Sequence, residues 1–148
     1  MKPILSILVL LLISGCDTIY GISRRATVDT CPSREEVEKL LYSLPEISSV
    51  KYERDEGGIP LTLTGLKAPP IIHTYMYSGG TNVSGVLQFT VDYKNIVSYS
   101  QTLLALGSPP PQEMMDATEQ VMIKIEKLLE TELNLTNLQS SVEQNLKM

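Results

Sequence analysis

The sequence predicts an α+β domain: an antiparallel β-meander of about four to five strands, with an N-terminal and a long C-terminal helix packed on one face. Three observations predict it. A capping box at Ser33–Glu36 opens an apolar stripe at helical spacing, alternating segments between Val50 and Leu106 are punctuated by turn residues, and a longer helical stripe occupies Met115 to Leu129. Helices gathered at the two ends of a block of strands, rather than alternating with it, imply segregated layers.

The first helix is specified locally. The Ser33 hydroxyl is placed to accept the backbone N–H three residues on, and Glu36 to reach back to the cap. Glu35 and Glu36 add negative charge where the helix dipole favours it. Val37, Leu40, Leu41 and Leu44 then share one face, and Pro45 forces the preceding residue out of helical geometry. The helix is expected over residues 34–44.

The middle of the chain alternates with period two. Val50 and Tyr52 are interleaved with Lys51 and Glu53 before Gly57-Gly58, and Leu61-Thr62-Leu63-Thr64 is cut short by Gly65 and Pro69-Pro70. A third segment runs from Ile71 to Ser78 and stops at Gly79-Gly80. A fourth, Gly85 to Tyr93, sets Leu87, Phe89, Val91 and Tyr93 against Gln88, Thr90 and Asp92. Lys94-Asn95 makes a tight turn into a fifth segment, Ile96 to Leu106. Strands joined by such short turns are antiparallel.

Gly107-Ser108 and the stiff Pro109-Pro110-Pro111 lead out of the sheet. From Gln112, the residues Met115, Thr118, Val121, Met122, Ile125, Leu128 and Leu129 form a stripe opposite Asp116, Glu119, Lys124, Lys127 and Glu130. A break is expected between Asn134 and Asn137. Beyond it, Leu135, Leu138 and Val142 suggest a weaker helical tail, which packs at home or on a partner.

The N-terminus carries an address rather than a fold. Met1-Lys2 is positive, Ile4 to Ile13 is apolar apart from Ser6, and Ser14-Gly15-Cys16 follows. The apolar run is too short for a membrane-crossing helix, which needs about 20 residues, and fits a secretory signal peptide. Ile13-Ser14-Gly15-Cys16 resembles the lipobox of bacterial lipoproteins. That resemblance implies cleavage before Cys16 and a thioether-linked diacylglycerol on its sulfur. It covers only the first sixteen residues.

Two acyl chains hold a protein stably at a bilayer, since each buried CH₂ contributes about 0.8 kcal/mol. Asp17 resembles the inner-membrane retention signal of enteric lipoproteins, which favours the periplasmic face of the inner membrane over the outer membrane. The expected organisation is therefore a signal peptide at 1–15, a lipidated N-terminus and tether at 16–32 with one short extended piece around Ala26–Val28, and one α+β domain at 33–148.

Composition narrows the function. Removing residues 1–15 from 148 leaves 133, enough for one ordinary domain; the only charge lost is Lys2, so the formal charge moves from −5 to −6. An acidic chain is repelled by phosphate backbones, so no nucleic-acid partner is expected. The adjacent pair Arg24-Arg25 reads as solvated tether. After lipidation Cys31 is the sole thiol. A lone cysteine of this kind is usually a small buried apolar residue, and the only histidine, His73, is remote in sequence.

One histidine and one spare cysteine cannot build a zinc or copper cluster, and Glu53, Asp55 and Glu56 lack calcium-loop spacing. No Gly-x-Ser-x-Gly elbow and no phosphate-binding glycine pattern is present. No catalytic residue, metal or cofactor is expected.

One binding candidate remains. His73, Tyr75 and Tyr77 share a face of the third strand with Ile71. If the helices cover the other face, these residues form an aromatic, hydrogen-bonding platform; if not, the tyrosines line the core. The expected function is a non-enzymatic envelope module, attached to the membrane by its lipid, that binds or positions another envelope protein. The alternative is a small-ligand or glycan-binding lipoprotein that uses an open sheet face.

Overall fold

The computed structural model describes residues 19–56, 69–106, 108–136, 138 and 141–144. The expected signal peptide, Cys16 with Asp17, and the strand expected at Leu61–Thr64 lie outside the described residues. In chain order the elements are β1 (Ile19–Val28), α1 (Arg34–Ser43), β2 (Ser49–Glu56), β3 (Ile71–Gly79), β4 (Val83–Val91), β5 (Val97–Leu106), α2 (Gln112–Glu132) and β6 (Ser141–Gln144).

The strands form one antiparallel sheet in the order β2-β3-β4-β5-β1-β6. The α+β class, the meander over β2 to β5 and the two helices are as the sequence predicts. The tether is not. Residues 19–28 form a full strand, pairing along their length with β5 from Ile19↔Leu106 to Val28↔Val97. The C-terminal tail also differs: Ser141–Gln144 extend along β1 as a strand, with Arg24 opposite Val142.

Alternation decides which face is buried. Tyr75 and Tyr77 of β3, Leu87 and Phe89 of β4, and Val97 and Tyr99 of β5 turn the same way. They pack into one core with Val37, Leu40 and Leu41 of α1 and Val121, Ile125 and Leu129 of α2. Full burial of each such aliphatic or aromatic side chain contributes about 1.5–3 kcal/mol. Ile22, Leu103 and Met122 form a second, smaller cluster, edged by Met114 and Met115. The opposite face carries Thr74, Gln88, Ser98, Ser100 and Thr102, and Gln88 Nε2 donates to Thr74 Oγ1 at 3.0 Å.

The capping box of α1 is formed. Glu36 N–H donates to Ser33 Oγ at 3.3 Å, and Ser33 N–H to Glu36 Oε2 at 2.9 Å. At the other end of the molecule Asn134 takes φ 52°, and Leu135 N–H reaches back to the Leu129 carbonyl at 3.1 Å. The left-handed residue and this long return bond turn the chain out of α2. The turn buries Leu135, and Leu138 follows it into the core.

Two glycines are places where something else needs the room. The Tyr77 ring lies over Gly85, so a β-carbon there would overlap it; at Gly79 a β-carbon would overlap the Glu46 carbonyl. The loop after α1 therefore seats directly on the end of β3, where Ser48 N–H bonds the Ser78 carbonyl at 2.9 Å.

Candidate functional site

The sheet–helix interface contains a chain of polar groups. Arg24 of β1 forks onto Glu126 of α2, with Nε to Oε1 and Nη2 to Oε2 both at 2.8 Å. Tyr99 Oη donates to the same Glu126 Oε1 at 3.3 Å. Gln101 Nε2 donates to Tyr99 Oη and, at 2.9 Å, to the Met122 carbonyl, and Tyr77 Oη donates to Gln101 Oε1 at 3.1 Å. Burial in this setting pushes the Tyr77 and Tyr99 hydroxyls far above their usual range, so both remain protonated donors. The Glu126 hydrogen bond strengthens the hold of Arg24 on its proton. Every member answers another, which is what a buried network needs in order not to cost stability.

This arrangement corrects two expectations. Arg24 is not a solvated tether residue but a core one, while Arg25 stays exposed and donates to Ser23 Oγ at 3.3 Å. The platform of His73, Tyr75 and Tyr77 is not open: Tyr75 is 0% and Tyr77 2% exposed beneath the helices. The core-lining alternative for those tyrosines is the one observed. The large aromatic rings fill the space over Gly85 and under α1, while Thr74, Gln88, Ser100 and Thr102 on the other face are half-buried.

His73 lies at the rim of that core, half-buried. Tyr52 Oη is 2.9 Å from its Nδ1, and the two rings stack at 6.1 Å. Burial, and then the Arg54 guanidinium, hold His73 below its usual 6.5. Which ring nitrogen carries the proton sets which of the two, Tyr52 Oη or His73 Nδ1, donates in this bond. Arg34, at the start of α1, sits over the Tyr52 ring at 4.5 Å and bonds Glu38 at 2.9 Å. The group ties the start of α1 to β2 and β3.

Cys31 is partly buried against the core, with its Sγ donating to the Pro32 carbonyl at 3.7 Å. Burial pushes its thiol above the usual 9.0. A thiol held protonated is a poor nucleophile. Glu53, Asp55 and Glu56 are exposed on β2, where Lys51 and Arg54 pair with Glu53 and Glu56. Among the described residues no group of three His, Cys, Asp or Glu side chains could hold a metal ion.

One concavity opens on the helical side, a cleft of about 380 Å³ between α1 and the last turns of α2. Leu40, Leu128 and Leu133 line it with Glu36, Lys39, Ser43 and Glu132. It was not legible in the sequence, because Leu40 and Leu128 read as ordinary stripe residues. Compared with protein-family models, curated proteins and solved structures, the chain matches none.

Proposed function

We propose that this protein is a lipid-anchored module of the bacterial envelope that holds a partner protein at the membrane surface and catalyses nothing itself. The observation that carries this reading is the start of β1. Ile19 follows Cys16 by three positions, so the chain between the lipidated residue and the sheet spans at most about 11 Å. A diacylglycerol on Cys16 therefore holds the sheet itself at the head groups, with no long leash.

From there β1 leads away for ten residues, about 33 Å in extended chain. Helix α2 runs in the same sense. Its start is fixed near the β3–β4 turn by Asn82 Nδ2 to Glu113 Oε1 at 3.0 Å, and the segment after it by Thr136 N–H to Asp29 Oδ1 at 3.2 Å, just past the end of β1. The interior polar groups are spent on one another, which supports a positioning role over a chemical one. Asp17 favours the periplasmic face of the inner membrane.

Two measurements test the reading. Palmitate labelling and fractionation compare the tagged chain with Cys16→Ser: label and membrane association should both vanish in the variant, and an unlabelled wild type sinks the anchor. Mild in-cell crosslinking of the lipidated protein should then recover a specific envelope protein. Recovery of free monomer alone overturns the partner role.

A further inference from the structure

We propose that the cleft between α1 and α2 is the docking site for a basic, amphipathic segment of that partner; this rests on the anchored, partner-binding reading. Leu40, Leu128 and Leu133 provide an apolar lining, and Glu36 and Glu132 set two carboxylates against the single ammonium of Lys39. The electrostatics lean further the same way. The last turn of α2 holds no basic residue, although the helix dipole concentrates partial negative charge there, and Glu130 and Glu132 add to it. Glu35 and Glu36 occupy the first turn of α1 on the other side. A chain of net charge −5 has thus placed acids at a helix end that favours bases, around an opening that is apolar inside.

A cation supplied from outside complements that excess of negative charge. A cleft of about 380 Å³ is at the small end of ligand sites, suited to a few anchoring side chains rather than a large cofactor. A helix or turn presenting leucine-like anchors flanked by lysine or arginine matches both properties, in the helix-in-groove mode. The position agrees. The cleft takes in the C-terminal end of α2, the end remote from the start of β1, so the anchored domain presents it away from the bilayer.

The test uses the full-length lipidated protein in phosphatidylcholine nanodiscs, with empty nanodiscs as the blank. The probe is a fluorescent helical peptide with leucines on one face and lysines on the other; a leucine–glutamate peptide of the same pattern is the control. The lysine peptide should raise the anisotropy above the blank and the glutamate peptide should not. E36Q with E132Q should weaken binding about fivefold at low salt, in line with exposed charge pairs. Ser43→Trp, which fills the cleft from an exposed position, should abolish binding. Equal binding of the two peptides, or lysine-peptide binding indifferent to these substitutions, overturns the proposal. Crosslinking in cells separates the two levels: a partner captured equally by wild type and Ser43→Trp refutes the cleft and leaves the module standing, whereas no partner in wild type refutes the module.

Discussion

Arg24 and Glu126, 102 positions apart, meet as a two-pronged ion pair that ties β1 to α2. Their side chains are 11% and 10% exposed, so each charge relies on the other for the solvation it has lost. Removing one partner leaves a buried charge uncompensated, whereas replacing both with apolar groups of similar size does not. Arg24→Met or Glu126→Leu alone should cost about 3–5 kcal/mol in urea unfolding, and the double variant should recover most of that loss. Additive losses in the double variant would mean that the pair is not coupled as its geometry indicates.

Gly85 and Tyr77 make a second pair with a directional consequence. They face each other in the β3–β4 register, and the tyrosine ring occupies the space where a side chain on Gly85 would stand. Gly85→Ala should therefore displace the ring and break its hydrogen bond to Gln101, at a cost of about 1–3 kcal/mol from overpacking alone. Tyr77→Phe leaves the ring in place and orphans one acceptor, also worth about 1–3 kcal/mol. Combining Gly85→Ala with Tyr77→Ala should relieve the clash, so thermal melts of the double variant should show less than the summed loss.

His73 gives the stability a pH dependence whose sign follows from its surroundings. Its folded midpoint lies below the ordinary 6.5, through burial first and Arg54 second. As pH falls through 6.5 the unfolded chain takes up this proton before the folded one does. The His73 contribution to stability is therefore intact above 6.5 and declines below it, toward the folded midpoint. Glu36, held below 4.5 by the Ser33 N–H, and Glu46, held down by Lys124, lose their contributions only at more acid pH. An NMR titration of the His73 ring should give a midpoint below 6.5, and Arg54→Gln should raise it. A midpoint at or above 6.5 would contradict the burial argument.

The elements that were legible in the sequence are those whose specification is local. The capping box at Ser33 and Glu36 sets α1, and period-two alternation sets β3, β4 and β5. Strand β1 was hidden because its core-facing row, Ile22-Arg24-Ala26-Val28, includes a charge. Arg24 belongs there only because Glu126 answers it from α2, and no local pattern carries a partner 102 positions away. The covered face of β3 was hidden for a different reason. Both of its rows mix apolar and polar residues, and the choice between them depends on Gly85 of the neighbouring strand, which makes room for Tyr77. In the tail, Leu135 and Leu138 were correctly apolar but at misleading spacing, since they enter the core after the left-handed turn at Asn134 rather than along a helix.

The two sheet edges are protected unequally. Among the described residues the edges are β2 and β6. The β2 edge is guarded by charge, with Lys51, Glu53, Arg54, Asp55 and Glu56 in close succession, and its Val50 N–H is taken by the Tyr42 hydroxyl at 3.3 Å. On the other side, among the described residues, the four residues of β6 cover Ile22 to Arg25 of β1. A chain ended after Leu138 keeps Leu135 and Leu138 in the core, so its unfolding free energy should fall only modestly. It should nevertheless expose a long unguarded strand edge, which pairs readily with another chain. Light scattering should show concentration-dependent association of the shortened protein under conditions where the full chain stays at its own mass. Leu138→Ala in the full chain should do the reverse, costing about 2–5 kcal/mol without promoting association. A shortened chain that keeps the mass of the full one would show that β1 has other protection along this edge.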